Sequence, residues 1–420
     1  MRKWAICLLL SAIALPATAA KSVSVEQLEQ LLAQNQGKSD AHVAQQLADL
    51  ELTERVSPVR MARWEAKFSG SKTRAALMRV ADAAAFLNPP HADMVPIAPP
   101  DGDTQERMME LAVDYVKTTM TRLPNFFAVR ETTHFEDVPS QEQMMAGGSL
   151  PSGWRMRPLG LSMGRTEAKL LRETGTYSTT VAYRDGYEVH GTAGAKQNQA
   201  NQAPPGLTTI GEFGPVLSVV TGDASRAQVT WGYWEQGTGD PMAVLHYTVS
   251  EDQSNYAVGI PNGTKVDTIY PAYHGEFAID PATGSILRIT VVADLMGPYQ
   301  AMQTAILVEY APVAIGTRTY ICPVHGVAFS KVPVGGTTQQ PQSGTITVQT
   351  QMNDVTFTHY HLFGSESRIL TGDKGQSAGS AAAGTADNGA PAAPASDANP
   401  NQTAPATTPA EQPAPTTNQH

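Results

Sequence analysis

The chain has 420 residues, of which 41% are hydrophobic, 16% charged and 7% aromatic, enough for one large or two ordinary domains and unlike a collagenous or wholly disordered protein. Its 29 Lys+Arg against 39 Asp+Glu leave a formal net charge of -10, which argues against gripping nucleic acid or anionic lipid through overall charge. Two cysteines exclude a disulfide-stapled scaffold and a zinc site built from four thiolates.

The N-terminus sets Arg2 and Lys3 before an apolar run from Trp4 to Leu15, then Pro16 and the small residues Ala17, Thr18 and Ala19. This is the pattern of a secretory signal peptide over residues 1–19, and it predicts a periplasmic or extracellular mature protein starting near Ala20. The apolar run is too short for the ~20 residues of a membrane-spanning helix, and none is expected in the mature chain. Removing the signal deletes Arg2, Lys3 and Cys7 and leaves Cys322 as the one thiol.

Residues 20–123 read as a helical segment. Ser24 and Gln27 form a capping box ahead of Val25, Leu28, Leu31 and Leu32. Ser57-Pro58 begins a helix carrying Met61, Trp64 and Phe68. Another runs from about Lys72 through Leu77, Val80, Ala84 and Leu87, stopped by Asn88-Pro89-Pro90. The Pro-rich stretch from His91 to Asp101 reads as a linker, and Asp103 with Glu106 caps a last helix through Met109, Ala112, Val116 and Met120. These apolar stripes are expected to need a sheet to cover them.

Residues 124–370 switch toward a period of two. Arg184-Asp185-Gly186-Tyr187 is a type I′ hairpin signal, and Ile210 to Val220 reads as a short helix. Strands are expected at Phe126 to Glu131, Gln228 to Glu235, Met242 to Val249, Tyr273 to Ile279, Ile286 to Ala293, Ala305 to Tyr310, Thr319 to Phe329 and Val355 to Phe363. Short turns between them, such as Asp280 to Gly284, predict an antiparallel sheet. The fold class is therefore α+β: an N-terminal helical segment packed on a curved, largely antiparallel, half-open barrel-like sheet. Residues 371–420, rich in Ala, Pro and Thr and without Val, Ile, Leu, Met or aromatics, read as a disordered tail.

Leu52-Thr53-Glu54-Arg55, Ala81 to Pro90, Val181 to Gly186, Gly211 to Leu217, Phe277 to Arg288 and Tyr360 to Gly364 together resemble a family of uncharacterised secreted bacterial proteins. More weakly, the Asp280 to Gly284 turn and the strand order resemble periplasmic lipoprotein carriers with half-barrel sheets. That second resemblance implies a lipid or lipoprotein acyl chain as ligand.

No nucleophile elbow, His-Glu-x-x-His motif or phosphate loop is present, and no cofactor is expected. His359 and His361, two apart on a strand, are the candidate metal ligands, with His274, Asp280 or His325 as a possible third. Cys322 and His325 form a second, Cys-x-x-His pair. In the strand around Trp231, Val229, Trp231 and Tyr233 are expected on one face and Trp234 on the other. In the next strand, Met242 and Val244 are expected opposite Leu245, Tyr247 and Val249. Trp231, Tyr233, Trp234 and Tyr247 are thus the candidate ligand-binding residues. The expectation is a non-enzymatic cell-envelope protein binding an apolar or amphipathic ligand in its sheet. Its alternatives are a structural or protein-interaction protein with a filled core, contacting an envelope partner, and a metal-dependent hydrolase.

Overall fold

The computed structural model describes residues 21–119, 122–137, 171–190, 206–209, 211–262, 265–299, 302–333 and 348–363. The chain divides into a body, Met1–Leu370, and a second unit, Thr371–His420. The expected signal peptide and the expected disordered tail lie outside the described residues, as does the stretch near 139–153.

The body is α+β. Helices α1 (Val25–Gln34), α2 (Asp40–Ala48), α3 (Pro58–Lys67), α4 (Ser71–Asp82) and α5 (Gly102–Thr119) precede the main sheet, and α6 (Pro215–Ala224) lies within it in sequence. The capping box of α1 is present, with the Ser24 hydroxyl accepting from Gln27 N and the Gln27 side chain accepting from Ser24 N. The cap of α5 is Asp101 rather than Asp103: Asp101 Oδ1 accepts from Thr104 N at 2.8 Å. Helix α4 ends at Asp82, five residues before the expected stop, and continues to Leu87 as turns closed by i+3 bonds such as Ala85 N to Asp82 O. Helix α2 is additional to the expected ones. Its Asp40 carboxylate accepts from Lys72 N and Thr73 N and so caps α4.

Ten strands form one antiparallel sheet, open at both edges and not closed into a barrel. They are β3 (Phe126–Asp137), β4 (Leu171–Arg184), β5 (Tyr187–His190), β6 (Gln228–Glu235), β7 (Met242–Val249), β10 (Ala272–Ile279), β11 (Ile286–Asp294), β12 (Gln303–Ile315), β13 (Arg318–Pro333) and β14 (Val348–Leu362). Their order is β5-β4-β3-β14-β13-β12-β11-β10-β7-β6. Two small sheets flank it: a parallel pair, β1 (Lys21–Val23) with β2 (Leu50–Leu52), and a hairpin, β8 (Val258–Asn262) with β9 (Lys265–Ile269). The Asp185-Gly186 turn has φ of 52° and 87°, as a type I′ hairpin demands.

One face of the sheet is apolar. Phe126, Tyr183, Leu245, Tyr247, Phe277, Ile306, Val355 and Phe357 pack there with Met109, Ala112 and Val116 of α5, and with Leu217 and Val220 of α6. The opposite face meets the earlier part of the helical segment, α1 to α4. The stripe of α5 is covered by the sheet as expected, but α1 to α4 do not depend on the sheet for their core: Val25, Leu28, Leu32, Val43, Leu47, Leu52, Trp64, Leu77 and Val80 cluster among themselves. The apolar cluster between this part and the sheet is made by Ala85 and Phe86 against Phe135, Leu171, Leu307, Val327 and Met352. The rest of that interface is charged.

Candidate functional site

The charged interface follows from strand register. Tyr233, Val244, Ala278, Arg288, Glu309 and His325 are successive cross-strand partners on β6, β7, β10, β11, β12 and β13, so they form one lateral row on the face turned toward the helical segment.

At the β6 end, Glu235 is fully buried and held by two arginines. Arg55, in the turn after β2, reaches it with NH1 to Oε1 at 3.1 Å and NH2 to Oε2 at 3.0 Å; Arg288 does the same at 3.2 and 2.7 Å. Burial opposes ionisation of Glu235, but the two guanidiniums outweigh it and hold the carboxyl down at about 2. The Tyr233 hydroxyl accepts from Arg55 NH2 and donates to Glu276, which also lies 3.6 Å from Arg288 and 3.5 Å from His246. The edge of β6 is sealed by the segment after α4: Val95 N donates to Trp234 O, Gln236 N to Asp93 O, and the Trp234 indole to Ala98 O.

At the β13 end, His325 stands among three carboxylates. Its Nδ1 lies 3.1 Å from Glu309 Oε2; its Nε2 lies 3.3 Å from Asp82 Oδ1 and 3.4 Å from Asp354 Oδ1. Asp82 comes from the C-terminal end of α4, and Asp354 from β14. The Asp82 side chain is 3% exposed. Asp82 Oδ2, His325 Nε2 and Asp354 Oδ1 are buried without a directed hydrogen bond. Burial and the charge of Asp354 push Asp82 well above the usual carboxylate range, although His325 opposes them. Burial alone would lower the His325 imidazolium; Asp82, Asp354 and Glu309 overcome that and raise it well above its ordinary value. Burial likewise disfavours the Glu309 carboxylate, and its bond to His325 brings it below the ordinary value. His134, wholly buried on β3, provides the contrast: both ring nitrogens are used, on Asn353 at 2.7 Å and Glu136 at 2.9 Å.

The residues singled out from sequence are dispersed. A bulge between Trp231 and Tyr233 reverses the expected alternation, so Trp231 and Trp234 share the apolar face, ring centroids 5.0 Å apart, and Tyr233 points to the charged one. Gly232 permits this, because a Cβ there would stand 2.8 Å from Val244 O and 2.7 Å from His246 Nε2. Tyr247 is buried in the core and donates to Thr290 O at 2.5 Å. The faces of β7 are as expected, with Met242 and Val244 opposite Leu245, Tyr247 and Val249. The four aromatics therefore line no common concavity. The two clefts of note lie elsewhere, about 270 Å³ beside Arg60 and Asp93 and about 400 Å³ between Arg79 and Phe135.

His359 and His361 are exposed at the end of β14, where a bulge between Thr358 and His361 and a φ of 52° at His359 break the alternation that would align their rings. Neither joins a group of three or more metal-ligating side chains among the described residues; the one such group is Asp82, His325 and Asp354. Cys322 and His325 are not partners. Three positions apart on β13, Cys322 lies in the apolar core, its thiol pushed up to about 12 by burial, while His325 faces the carboxylates. His274 pairs with Asp294 at 3.1 Å, and Asp280 is used within its own turn.

No helix among the described residues is long and apolar enough to cross a membrane. Comparison with protein-family models, with curated proteins and with solved structures gives no match.

Proposed function

We propose that the chain is an exported, non-enzymatic protein of the cell envelope whose sheet is a filled scaffold for contact with a protein partner. The observation that carries this reading is the covering of both sheet faces by the chain's own elements: α5 and α6 pack on the apolar face, and the part of the helical segment from α1 to α4 with the turn after it on the charged one. Export is supported by the Arg2-Lys3 start, the short apolar run and the Ala17-Thr18-Ala19 end. A filled sheet leaves binding to loops, edges and the surface of the helical segment.

A second reading, a carrier of a lipid or lipoprotein acyl chain, is favoured by the density of aromatic rings under α5 and α6, among them Phe126, Phe213, Phe357, Tyr247 and Phe277. It requires that α5 lift to admit the chain, because the rings fill the space with one another.

Native mass spectrometry of protein purified gently from the secreted or periplasmic fraction separates the two. The scaffold reading expects the mass of the chain without residues 1–19, no co-purifying lipid, and no change in tryptophan emission on adding phospholipid vesicles. A lipid bound one to one, with a shift in emission from Trp231 and Trp234, establishes the carrier reading instead. Retention of Met1 overturns export.

A further inference from the structure

The charges around His325 are not balanced as the other buried charges of this protein are. Glu235 has two guanidiniums for one carboxylate, and Asp223 accepts from Asn255 N, Asn255 Nδ2, the Tyr273 hydroxyl and Arg226. Asp82 and Asp354, by contrast, face each other across a single imidazole with lone pairs left over. Asp82 also sits at the C-terminal end of α4, where the helix dipole adds negative potential and favours a cation. The flanking side chains Ala85, Leu307, Val327 and Met352 are apolar, so water is a poor substitute for a ligand there.

We propose that Asp82, His325 and Asp354 bind a divalent first-row metal ion of the zinc class, which clamps the helical segment to strands β13 and β14. The donor set, one imidazole nitrogen and two carboxylate oxygens, selects such ions over calcium or magnesium, which prefer all-oxygen sites. The spacing agrees. Zinc bonded to nitrogen and oxygen at about 2.0–2.1 Å in a tetrahedron places its ligand atoms roughly 3.3–3.4 Å apart, and His325 Nε2 stands 3.3 and 3.4 Å from Asp82 Oδ1 and Asp354 Oδ1. All three ligand atoms lie within 4.8 Å of one another. Glu309 completes the arrangement from behind: accepting Nδ1–H of His325, it fixes the tautomer whose Nε2 lone pair points at the ion. Imidazole and carboxylate bind a metal ion in their deprotonated forms, so binding competes with protons and weakens as pH falls.

The role is that of a clamp. Asp82 belongs to a helical unit with its own core, and His325 and Asp354 belong to the sheet, so one ion spans the two layers. This inference stands apart from the choice between scaffold and carrier.

The test uses the mature chain without a polyhistidine tag, stripped with chelator and titrated calorimetrically with zinc, and separately with manganese, in two buffers of different ionisation enthalpy. The expected result is one zinc per chain, proton release on binding, and a higher melting temperature in zinc than in chelator. Asp82→Asn and Asp354→Asn should each weaken binding at least 100-fold, and Glu309→Gln by about 10- to 100-fold. His359→Ala with His361→Ala should leave it unchanged. Cobalt added to the stripped wild-type chain supplies a readout that needs no variant: stoichiometric visible absorption of a four- or five-coordinate ion is expected. Absence of stoichiometric zinc binding, absence of that absorption, or binding untouched by both aspartate variants would overturn the site and leave His325 as an imidazolium paired with carboxylates.

Discussion

A carboxylate with no exposure to water is tolerable at Glu235 because Arg55 and Arg288 both grip it bidentately. Removing the anion while leaving two buried guanidiniums is the costly change. Glu235→Gln is expected to destabilise the protein by about 3–5 kcal/mol at neutral pH, measured by urea unfolding. The pH dependence has a definite sign. Because the Glu235 carboxyl is held down at about 2, against an ordinary value near 4.5, its contribution is complete above about pH 5 and is lost as pH falls through that interval toward 2. A displacement of that size corresponds to roughly 3 kcal/mol. The Glu235→Gln variant should lack this share of the acid sensitivity; equal slopes of stability against pH from about 5 to about 2.5 in both proteins would refute the assignment. In the sequence this cluster is visible only as scattered residues. Arg55 lies 180 positions from Glu235, and Glu235 lies 53 from Arg288, so no local spacing announces their meeting. The short spacing of Cys322 and His325 carries no chemistry, because the two face opposite sides of the sheet.

Where an element is fixed by neighbours in sequence, its outline is legible there; where a distant segment fixes it, it is not. The box at Ser24 and the turn at Asp185-Gly186 are local chemistry and appear as the sequence predicts. Helix α4 is capped by Asp40 from another helix, and the faces of β6 and the end of β14 are reset by bulges that alternation cannot foresee. The Asp280 to Gly284 turn joins both kinds of constraint. Gly284 has φ +72°, and a Cβ there would stand 2.4 Å from Leu111 O, so the backbone of α5 rests directly on the turn. Gly284→Ala combines left-handed strain with a clash against rigid backbone and should cost about 2–3 kcal/mol. Gly186, at φ +87°, meets nothing within 4 Å, and Gly186→Asn should cost less than about 1 kcal/mol, since asparagine tolerates that conformation. Denaturant midpoints for the pair decide the matter: similar losses would mean that α5 does not bear on the turn.

At the scale of the molecule, the α+β class and the antiparallel meander from β10 to β13 follow from short turns between strands. The way the sheet is completed does not, because it depends on pairing between segments far apart. Among the described residues, strands β3, β4 and β5 are hydrogen-bonded to the other seven strands only through β14, which pairs with β3 on one side and β13 on the other. A chain ending at residue 347 should therefore lose more than one strand. Size-exclusion chromatography is expected to show it associated or insoluble, whereas a folded monomer would mean that the two parts of the sheet are independently stable. The arrangement also imposes a schedule. A polypeptide is made from its N-terminus, so β3 to β5 are finished early and then wait, with one edge bare, until the closing strand arrives. During that wait the bare edges of β3 and β13 are open to pairing with neighbouring chains, and long-range closure of this kind is slow. How fast the last strand is delivered, or what shields the early ones meanwhile, sets the yield of this protein as much as the stability of the finished sheet does.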